Sequence, residues 1–457
     1  MTITRARPKR ECQSLEQDVI SIEDCVQSRR LIHNDLYHKV TPAEVSLIRR
    51  SLLDWFDREQ RTNMPWRKPA MPSGTYCGQR AYEVWVSEIM LQQTQVATVI
   101  DYYNRWMEAF PTIYDLATAD LETVNKLWAG LGYYSRARRL WEGARKVVQE
   151  FDGCLPTTSK ELEKHIPGVG RYTAGAVASI AYGRQTPLVD GNVIRVLSRL
   201  RAIGGDPKKT NVVELEIAAA LVPADRPGDF NQALMELGAR ICTPSKPNCA
   251  ACPISEQCHA LAQATIQKRL NADAFWSIDN KKRKWHHDCK ICPEILSPME
   301  TDDYAVTRYP LKVDKKPPRD EECAVCIIQQ TSDKLNEPVY LISKRPNTGL
   351  LAGLWEFPSL ELGNQATTYN ERAEQVSVFL KNRYNLDLHS GKVERRDLGN
   401  VVHLFSHIRK VYHIEWIILE GAIAGTGQWM TLAELKTAAI PTGLKKAIRL
   451  LEQYQKV

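Results

Sequence analysis

The sequence predicts a mainly α-helical domain followed by a smaller α+β domain. Three observations predict this class. Apolar residues recur at helical spacing between Gly- and Pro-containing turns over residues 41–262. Four cysteines in a Pro-rich loop, Cys242, Cys249, Cys252 and Cys258, close that region. Beyond residue 320 the pattern changes to strand-like runs, Cys323-Ala-Val-Cys-Ile-Ile and Pro338-Val-Tyr-Leu-Ile-Ser. With 457 residues, 43% of them hydrophobic and 25% charged, the chain can build two or three proper cores. The divisions expected are a flexible tail over 1–40, a helical domain over 41–262, a connector over 263–319 and a second domain over 320–457. No apolar run approaches the roughly 18 residues of a membrane span. A net charge of +7 is compatible with nucleic acid but not diagnostic of it. Twelve cysteines, mostly clustered and without a secretory signal, favour metal ligation over disulfides.

In chain order, Thr4-Arg5-Ala6-Arg7-Pro8-Lys9-Arg10 is basic. It fits a nuclear signal or part of a transit peptide, although acidic residues from Glu11 onward weaken the second, and a solvated tail explains it equally well. The expected compartment is the nucleus, with the mitochondrion second. A helix begins near Val45 and ends before Asn63-Met64-Pro65-Trp66-Arg67. Residues 81–110 form two helices with Gln92 and Gln93 at the joint and Thr94 capping the second. Glu88 lies in the first of these, in an otherwise apolar stretch. Such a residue is usually solvated or ion-paired; if buried, desolvation raises its pKa and makes it a proton donor near neutral pH. Trp128-Ala-Gly-Leu131-Gly-Tyr133-Tyr134-Ser-Arg136 is a Gly-hinged junction followed by Arg138 and Arg139. Core packing explains the two tyrosines; wedging a base stack, with the arginines on phosphate, is the functional alternative.

From His165 two apolar-periodic segments are joined through Pro167-Gly168-Val169-Gly170. Gly168 gives a tight turn, and Gly170 allows close approach of backbone or ligand and opens a helix rich in small residues. The N–H groups at such a helix start suit a DNA phosphate; the pattern is neither GxGxxG nor a P-loop. About twenty residues on, Leu188-Val189-Asp190-Gly191-Asn192 places Asp190 where the next helix begins. Taken alone, Asp190 is an N-cap.

The cysteine spacing C-x6-C-x2-C-x5-C suits a [4Fe–4S] cluster or tetrahedral zinc. Lys281-Lys282-Arg283-Lys284 reads as a solvated linker, and His286-His287-Asp288-Cys289-Lys290-Ile291-Cys292 as a zinc candidate, with free linker thiols as the plain alternative. Cys323 and Cys326, three apart on a strand, point to opposite faces and make a poor metal pair.

The Ile-Pro-Gly-Val-Gly hairpin, the helix of small residues and Val189-Asp190-Gly191-Asn192-Val193 together resemble the helix-hairpin-helix DNA glycosylases. The run Val86-Ser-Glu-Ile-Met-Leu-Gln-Gln-Thr-Gln-Val96 and the Trp128–Arg136 junction narrow the resemblance to MutY-type adenine DNA glycosylases, over residues 45–260 and 320–457. The resemblance implies removal of adenine mispaired with 8-oxoguanine or guanine in double-stranded DNA. It implies Glu88 as the acid at adenine, Asp190 as the anion stabilising the sugar cation, and Tyr172 and Asn192 as their supports. The cap would keep Asp190 ionised. Gln93, with its neighbour Gln92, and Tyr133 match the family's wedge residues; Leu131, Tyr134, Gly168 and Gly170 are further expected DNA contacts. The four loop cysteines would carry [4Fe–4S], shaping a basic loop with Lys246 and Arg240. Bifunctional relatives place a lysine just after the hairpin glycines; here Arg171-Tyr172-Thr173 follows, so base release without strand cleavage is expected.

Animal relatives carry a connector zinc held by three cysteines and a distant histidine. Lys282 stands where the first cysteine is expected, so the ligands expected here are His38, Cys289 and Cys292, with His286 or His287 as the replacement. Residues 347–358 resemble a Nudix-like domain, but Glu371-Arg372-Ala373-Glu374 stands where a Mg²⁺-binding glutamate frame is required, so recognition without hydrolysis is expected. Phe405, Ser406 and His407 match the family's 8-oxoguanine-reading loop. The expected protein is a monomer without membrane contact, with repair and replication proteins as further partners. Three other readings are an endonuclease III-like lyase, opposed by the missing lysine; a Nudix pyrophosphatase, opposed by the missing glutamates; and a non-catalytic damage sensor, which has no need of both Glu88 and Asp190.

Overall fold

The computed structural model describes residues 32–68, 77–272, 286–292, 306–313, 317–331, 337–346, 348–363, 368–389, 392–420 and 426–455. The basic run at 4–10 and the Lys281–Lys284 run lie outside them. In chain order, strand β1 (Ile32–Asn34) leads to helices α1 (Pro42–Glu59), α2 (Cys77–Leu91), α3 (Val96–Ala109), α4 (Ile113–Thr118), α5 (Leu121–Trp128), α6 (Ser135–Glu150), α7 (Ser159–His165), α8 (Arg171–Ala176), α9 (Gly191–Leu200), α10 (Pro207–Leu221), α11 (Pro227–Arg240) and α12 (His259–Ala272). Strands β2 (His286–Asp288), β3 (Arg319–Thr331), β4 (Val339–Lys344), β5 (Trp355–Glu356) and β6 (Ser359–Gly363) follow. Helix α13 (Tyr369–Tyr384), strands β7 (Val393–Leu404), β8 (Ile408–Glu420) and β9 (Gln428–Thr431), and helices α14 (Leu432–Thr437) and α15 (Thr442–Tyr454) complete the order.

The chain divides into two compact units, neither of them a continuous segment. One holds residues 1–57, 189–221 and 233–312; the other holds 58–188, 222–232 and 313–457. In the first, β1 pairs in parallel with β2, Ile32 opposite His286. Residues 32–40, expected within a flexible tail, are therefore ordered here, and the rest of that expectation lies outside the described residues. A parallel partner about 250 residues away is invisible to local patterning.

In the second unit, Trp85, Trp106, Trp128, Leu140 and Val177 fill a helical core that Leu354 and Ala439 also enter. Glu122 on α5 accepts hydrogen bonds from Lys344 Nζ at 3.0 Å and Trp355 Nε1 at 3.3 Å. The unit's sheet runs β5-β4-β3-β8-β7, with β6 pairing β3 and β9 pairing β4. β3 and β8 run parallel over thirteen registered pairs, and the other contacts are antiparallel. Cys323 faces the α14–α15 side with Tyr412 and Leu444, whereas Cys326 faces α13 with Val376 and Leu380. The strand period of two separates them as expected. Helix α15 buries Leu444, Ala447, Ile448 and Leu451 on that first face.

Candidate active site and metal centres

Glu88 sits on the last full turn of α2, only 5% exposed. Tyr172, on the first turn of α8, donates its phenol hydrogen to Glu88 Oε2 at 2.5 Å. The hairpin glycines bring this about. Gly168 has φ +76°, and a Cβ there would fall 2.7 Å from Cβ of Arg139. Only glycine meets both demands cheaply. Gly170 caps α8 with no side chain, and a Cβ there would meet nothing within 4 Å, so close packing does not demand a glycine at this position. Helix α8 then widens into a π turn over Val177–Ala181.

The joint after α2 departs from expectation. Thr94 does not cap α3; its hydroxyl donates to the Gln92 carbonyl at 3.2 Å, and Gln95 takes the cap position. Gln92 is anchored through Nε2 to Thr173 Oγ1 at 3.4 Å. Gln93 is exposed and holds the left-handed conformation, φ +54°. Tyr133 is likewise left-handed, φ +49°, and 46% exposed. Leu131 and Tyr134, expected at the DNA surface, are buried in the helical core, and the Tyr134 hydroxyl accepts from the Gly130 N–H at 3.2 Å. Core packing is thus the right reading for Tyr134 and the wrong one for Tyr133.

A place on phosphate is the functional alternative for Arg136. The side chain is instead buried beneath both exposed tips. Its guanidinium donates to the carbonyls of Ile89, Met90 and Gln92 at 2.9, 3.0 and 2.6 Å, and to those of Leu131 and Gly132 at 3.4 and 3.1 Å. It therefore satisfies the open carbonyls ending α2 and ties them to the Leu131–Tyr133 turn. Burial pulls its pKa down to about 10, with Tyr133 opposing. The sequence signal for such a clamp, an arginine after a Gly-hinged turn, does not separate it from Arg138, half-buried, or Arg139, exposed.

In the first unit, Asp190 is the N-cap of α9 and accepts from the Val193 N–H at 2.7 Å. Its other oxygen accepts from Asn192 Nδ2 at 2.8 Å. Arg195 donates to Asn192 Oδ1 at 2.9 Å, to the Cys242 carbonyl at 2.8 Å and to the Gly238 carbonyl at 2.7 Å. Gly238 lets α11 approach: a Cβ there would fall 2.7 Å from Cβ of Asn192. Both Asp190 oxygens face hydrogen-bearing donors, an arrangement made for a carboxylate. Asn192 turns the cap into one end of a chain of bonds reaching the cysteine loop.

That loop begins where α11 ends. Arg199, buried, donates to Cys242 Sγ at 3.4 Å and to the Thr243 and Pro244 carbonyls at 2.7 and 2.9 Å. Burial pushes the Cys252 thiol up to about 11 and Cys258 to about 12. Among the described residues, one trio of His, Cys or carboxylate ligand atoms lies within 4.8 Å of one another, and it is not in this loop. The four loop cysteines are half-buried thiols, a donor set that fits a cluster with one iron per thiolate. Lys246 and Arg240 are exposed beside it.

The trio is His38, Cys289 and Cys292, all buried. His38 Nδ1 donates to the Arg201 carbonyl at 2.8 Å. This leaves the Nε2 lone pair facing Cys289 Sγ at 3.3 Å and Cys292 Sγ at 3.5 Å. A backbone bond on one ring nitrogen is how a protein prepares the other for a metal. The Gly204 N–H donates to Cys292 Sγ at 3.2 Å, and burial pushes that thiol up to about 12. The donor set therefore fits zinc. The side chain of His286 lies outside the described residues.

In the second unit, β7 and β8 meet in a tight hairpin with Phe405, Ser406 and His407 at its tip. The Phe405 N–H donates to the Ile408 carbonyl at 2.8 Å, and Ser406 Oγ lies 3.1 Å from His407 Nδ1. Ser406 and His407 are exposed and Phe405 half-buried. Glu371 is engaged in a capping box with Thr368 at the start of α13.

Residues 86–218 match the model of the HhH-GPD superfamily base excision DNA repair proteins, and residues 324–450 match the NUDIX domain. The chain is 45% identical to the adenine DNA glycosylase of Rattus norvegicus, over 91% of this chain and 80% of that protein. It is 47% identical to the adenine DNA glycosylase of Homo sapiens, over 90% of this chain and 75% of that protein. A solved thermostable thymine-DNA glycosylase is 27% identical with TM-score 0.43, over 49% of this chain and 99% of that one. The chain belongs to the adenine DNA glycosylase family.

Proposed function

We propose that this chain is a monofunctional adenine DNA glycosylase of base excision repair that hydrolyses the bond between adenine and deoxyribose where adenine is mispaired with 8-oxoguanine or guanine in duplex DNA. The observation that carries the reading is the pair of unlike carboxyl groups. Adenine leaves poorly unless protonated, and its departure turns the sugar into an oxocarbenium ion. Glu88, buried and holding a tyrosine hydroxyl, gives its proton to the leaving base. The C1′–N9 electron pair goes to adenine. Asp190, accepting on both oxygens, stabilises the cation. Water then adds to C1′ and returns a proton to Glu88. Tyr172 orients Glu88, and Asn192 orients Asp190. The target adenine must leave the stack to meet these groups. Gln93 and Tyr133, exposed on tips tied down by Arg136, suit the wedge that keeps the duplex open. No lysine stands beside the hairpin glycines to attack the sugar, which supports release of the base without strand cleavage.

Cys242, Cys249, Cys252 and Cys258 would hold a [4Fe–4S] cluster, which when bound orders the loop carrying Lys246. His38, Cys289 and Cys292 would hold zinc, tying β1 to the connector. Phe405, Ser406 and His407 would read the base opposite adenine. The missing glutamate frame supports recognition rather than hydrolysis there. Repair and replication proteins as partners and a nuclear or mitochondrial site of action belong to the same reading.

The test uses the full chain and a duplex with one adenine opposite 8-oxoguanine, the quenched reaction being divided and one half treated with hot alkali. Strand breaks after alkali alone are expected. Equal breaks without alkali would mean a lyase nucleophile, and no breaks in either half would reduce the chain to a sensor.

A further inference from the structure

His403 is left unused by the reading above. It lies two residues before Phe405, and positions two apart on a strand share a face. Its imidazole meets the Phe405 ring edge-on, with centroids 4.6 Å apart and planes at 83°. This is the favoured geometry of an aromatic pair. The other side of His403 is backed by the first turn of α15. A Cβ on Gly443 would fall 3.2 Å from Cγ of His403 and 3.0 Å from Cε2 of Tyr412, tighter than nine in ten real Cβ contacts. Lys446, one turn along, donates to the Val402 carbonyl at 3.0 Å and pins β7 to the same helix. At the tip itself, the Arg319 N–H donates to the His407 carbonyl at 3.0 Å. The backbone of the tip is thereby held from β3 and β8, while the His403 ring against Phe405 is backed by α15.

We propose that His403 is a positioning residue for recognition of the base opposite adenine: braced against Gly443, it holds the Phe405 ring in the direction in which the tip presents it. The inference rests on the reading of Phe405, Ser406 and His407 as the recognition tip. Burial, and then the positive charge of Lys446, hold the His403 pKa below its usual value. The contact with Phe405 is therefore one between neutral rings, and another neutral ring can replace it. Without the brace, a half-buried phenylalanine on a three-residue tip has other rotamers open to it, and its contribution to selectivity is diluted among them.

The experiment compares single-turnover adenine excision opposite 8-oxoguanine and opposite guanine, using the full chain and its His403→Ala, His403→Phe and Phe405→Ala variants and the His403→Ala/Phe405→Ala double variant. The ratio of the two rates should fall about fivefold in His403→Ala, the scale of one aromatic pair. It should stay within about twofold of the parent in His403→Phe, which restores the ring. The double variant should match Phe405→Ala, because a brace has no effect when the ring it braces is gone. An unchanged ratio in His403→Ala, with a lowered one in Phe405→Ala, would overturn the proposal while leaving the recognition tip standing. Additive losses in the double variant would also overturn it, since they would give His403 a role of its own. An unchanged ratio in Phe405→Ala would overturn the recognition tip and the proposal with it.

Discussion

Glu88 and Asp190 are both carboxyl groups near helix ends, yet they stand in opposite surroundings. Glu88 lies on the last full turn of its helix, where the helix dipole disfavours negative charge. It is shut away from water and receives the Tyr172 hydroxyl. Asp190 precedes the first turn of its helix, where the dipole favours negative charge, and both its oxygens receive N–H groups. The contrast is the one the proposed mechanism asks for, a carboxyl group that donates a proton and another that stays an anion. The two helix ends differ in the sign of their dipole, and each group also has a side-chain partner: Tyr172 on Glu88, and Asn192, held by Arg195, on Asp190.

Three substitutions sharpen or break this contrast. The largest effect is expected from Asp190→Asn. It removes the negative charge in a nearly isosteric side chain, and the single-turnover rate should fall at least about a thousandfold while duplex binding persists. A rate within tenfold of the parent would remove Asp190 from the mechanism. Glu88→Gln should cost about a hundredfold or more, the range for a general acid. The difference between the two groups then becomes visible with a duplex whose target base departs without protonation. That substrate should restore much of the Glu88→Gln rate and none of the Asp190→Asn rate; equal behaviour of the two variants would erase the distinction. Tyr172→Phe should be mildest, about tenfold, because it removes one hydrogen bond and leaves the acid in place. The loss should shrink with the same easily departing base, since Tyr172 acts only through Glu88.

Much of this site was legible from sequence because its cues are local. A cap before a helix, a Pro-Gly turn and a cysteine loop are each written within a few residues, and the strand period alone placed Cys323 and Cys326 on opposite faces. What failed was burial. Arg136, Arg138 and Arg139 look alike in sequence, but only Arg136 lies on the turn of α6 that faces the open carbonyls of α2. Tyr133 and Tyr134 are neighbours, yet a left-handed residue at 133 sends one ring out and the other in. Thr94 is a good cap by type, but the chain left Gln93 in a left-handed turn and moved the cap to Gln95. Residues 32–38 read as tail because their partners lie at 201 and 286–292.

The sequence by itself determined the helical and α+β classes, both carboxyl groups, the lack of a hairpin lysine, and the cysteines with a candidate histidine at 38. The fold classes, the Asp190 cap and the cysteine loops follow from periodicity, capping and donor chemistry, all short-range properties of the chain, whereas the roles of the two carboxyl groups and the choice of His38 rest on the resemblance to MutY-type adenine DNA glycosylases. Only the tertiary structure decided which side chains are interior, which of Gln92 and Gln93 is exposed, and that His38 meets Cys289 and Cys292. Those depend on contacts between residues far apart in sequence, where packing density and the satisfaction of buried polar groups select one side chain among chemically equivalent neighbours.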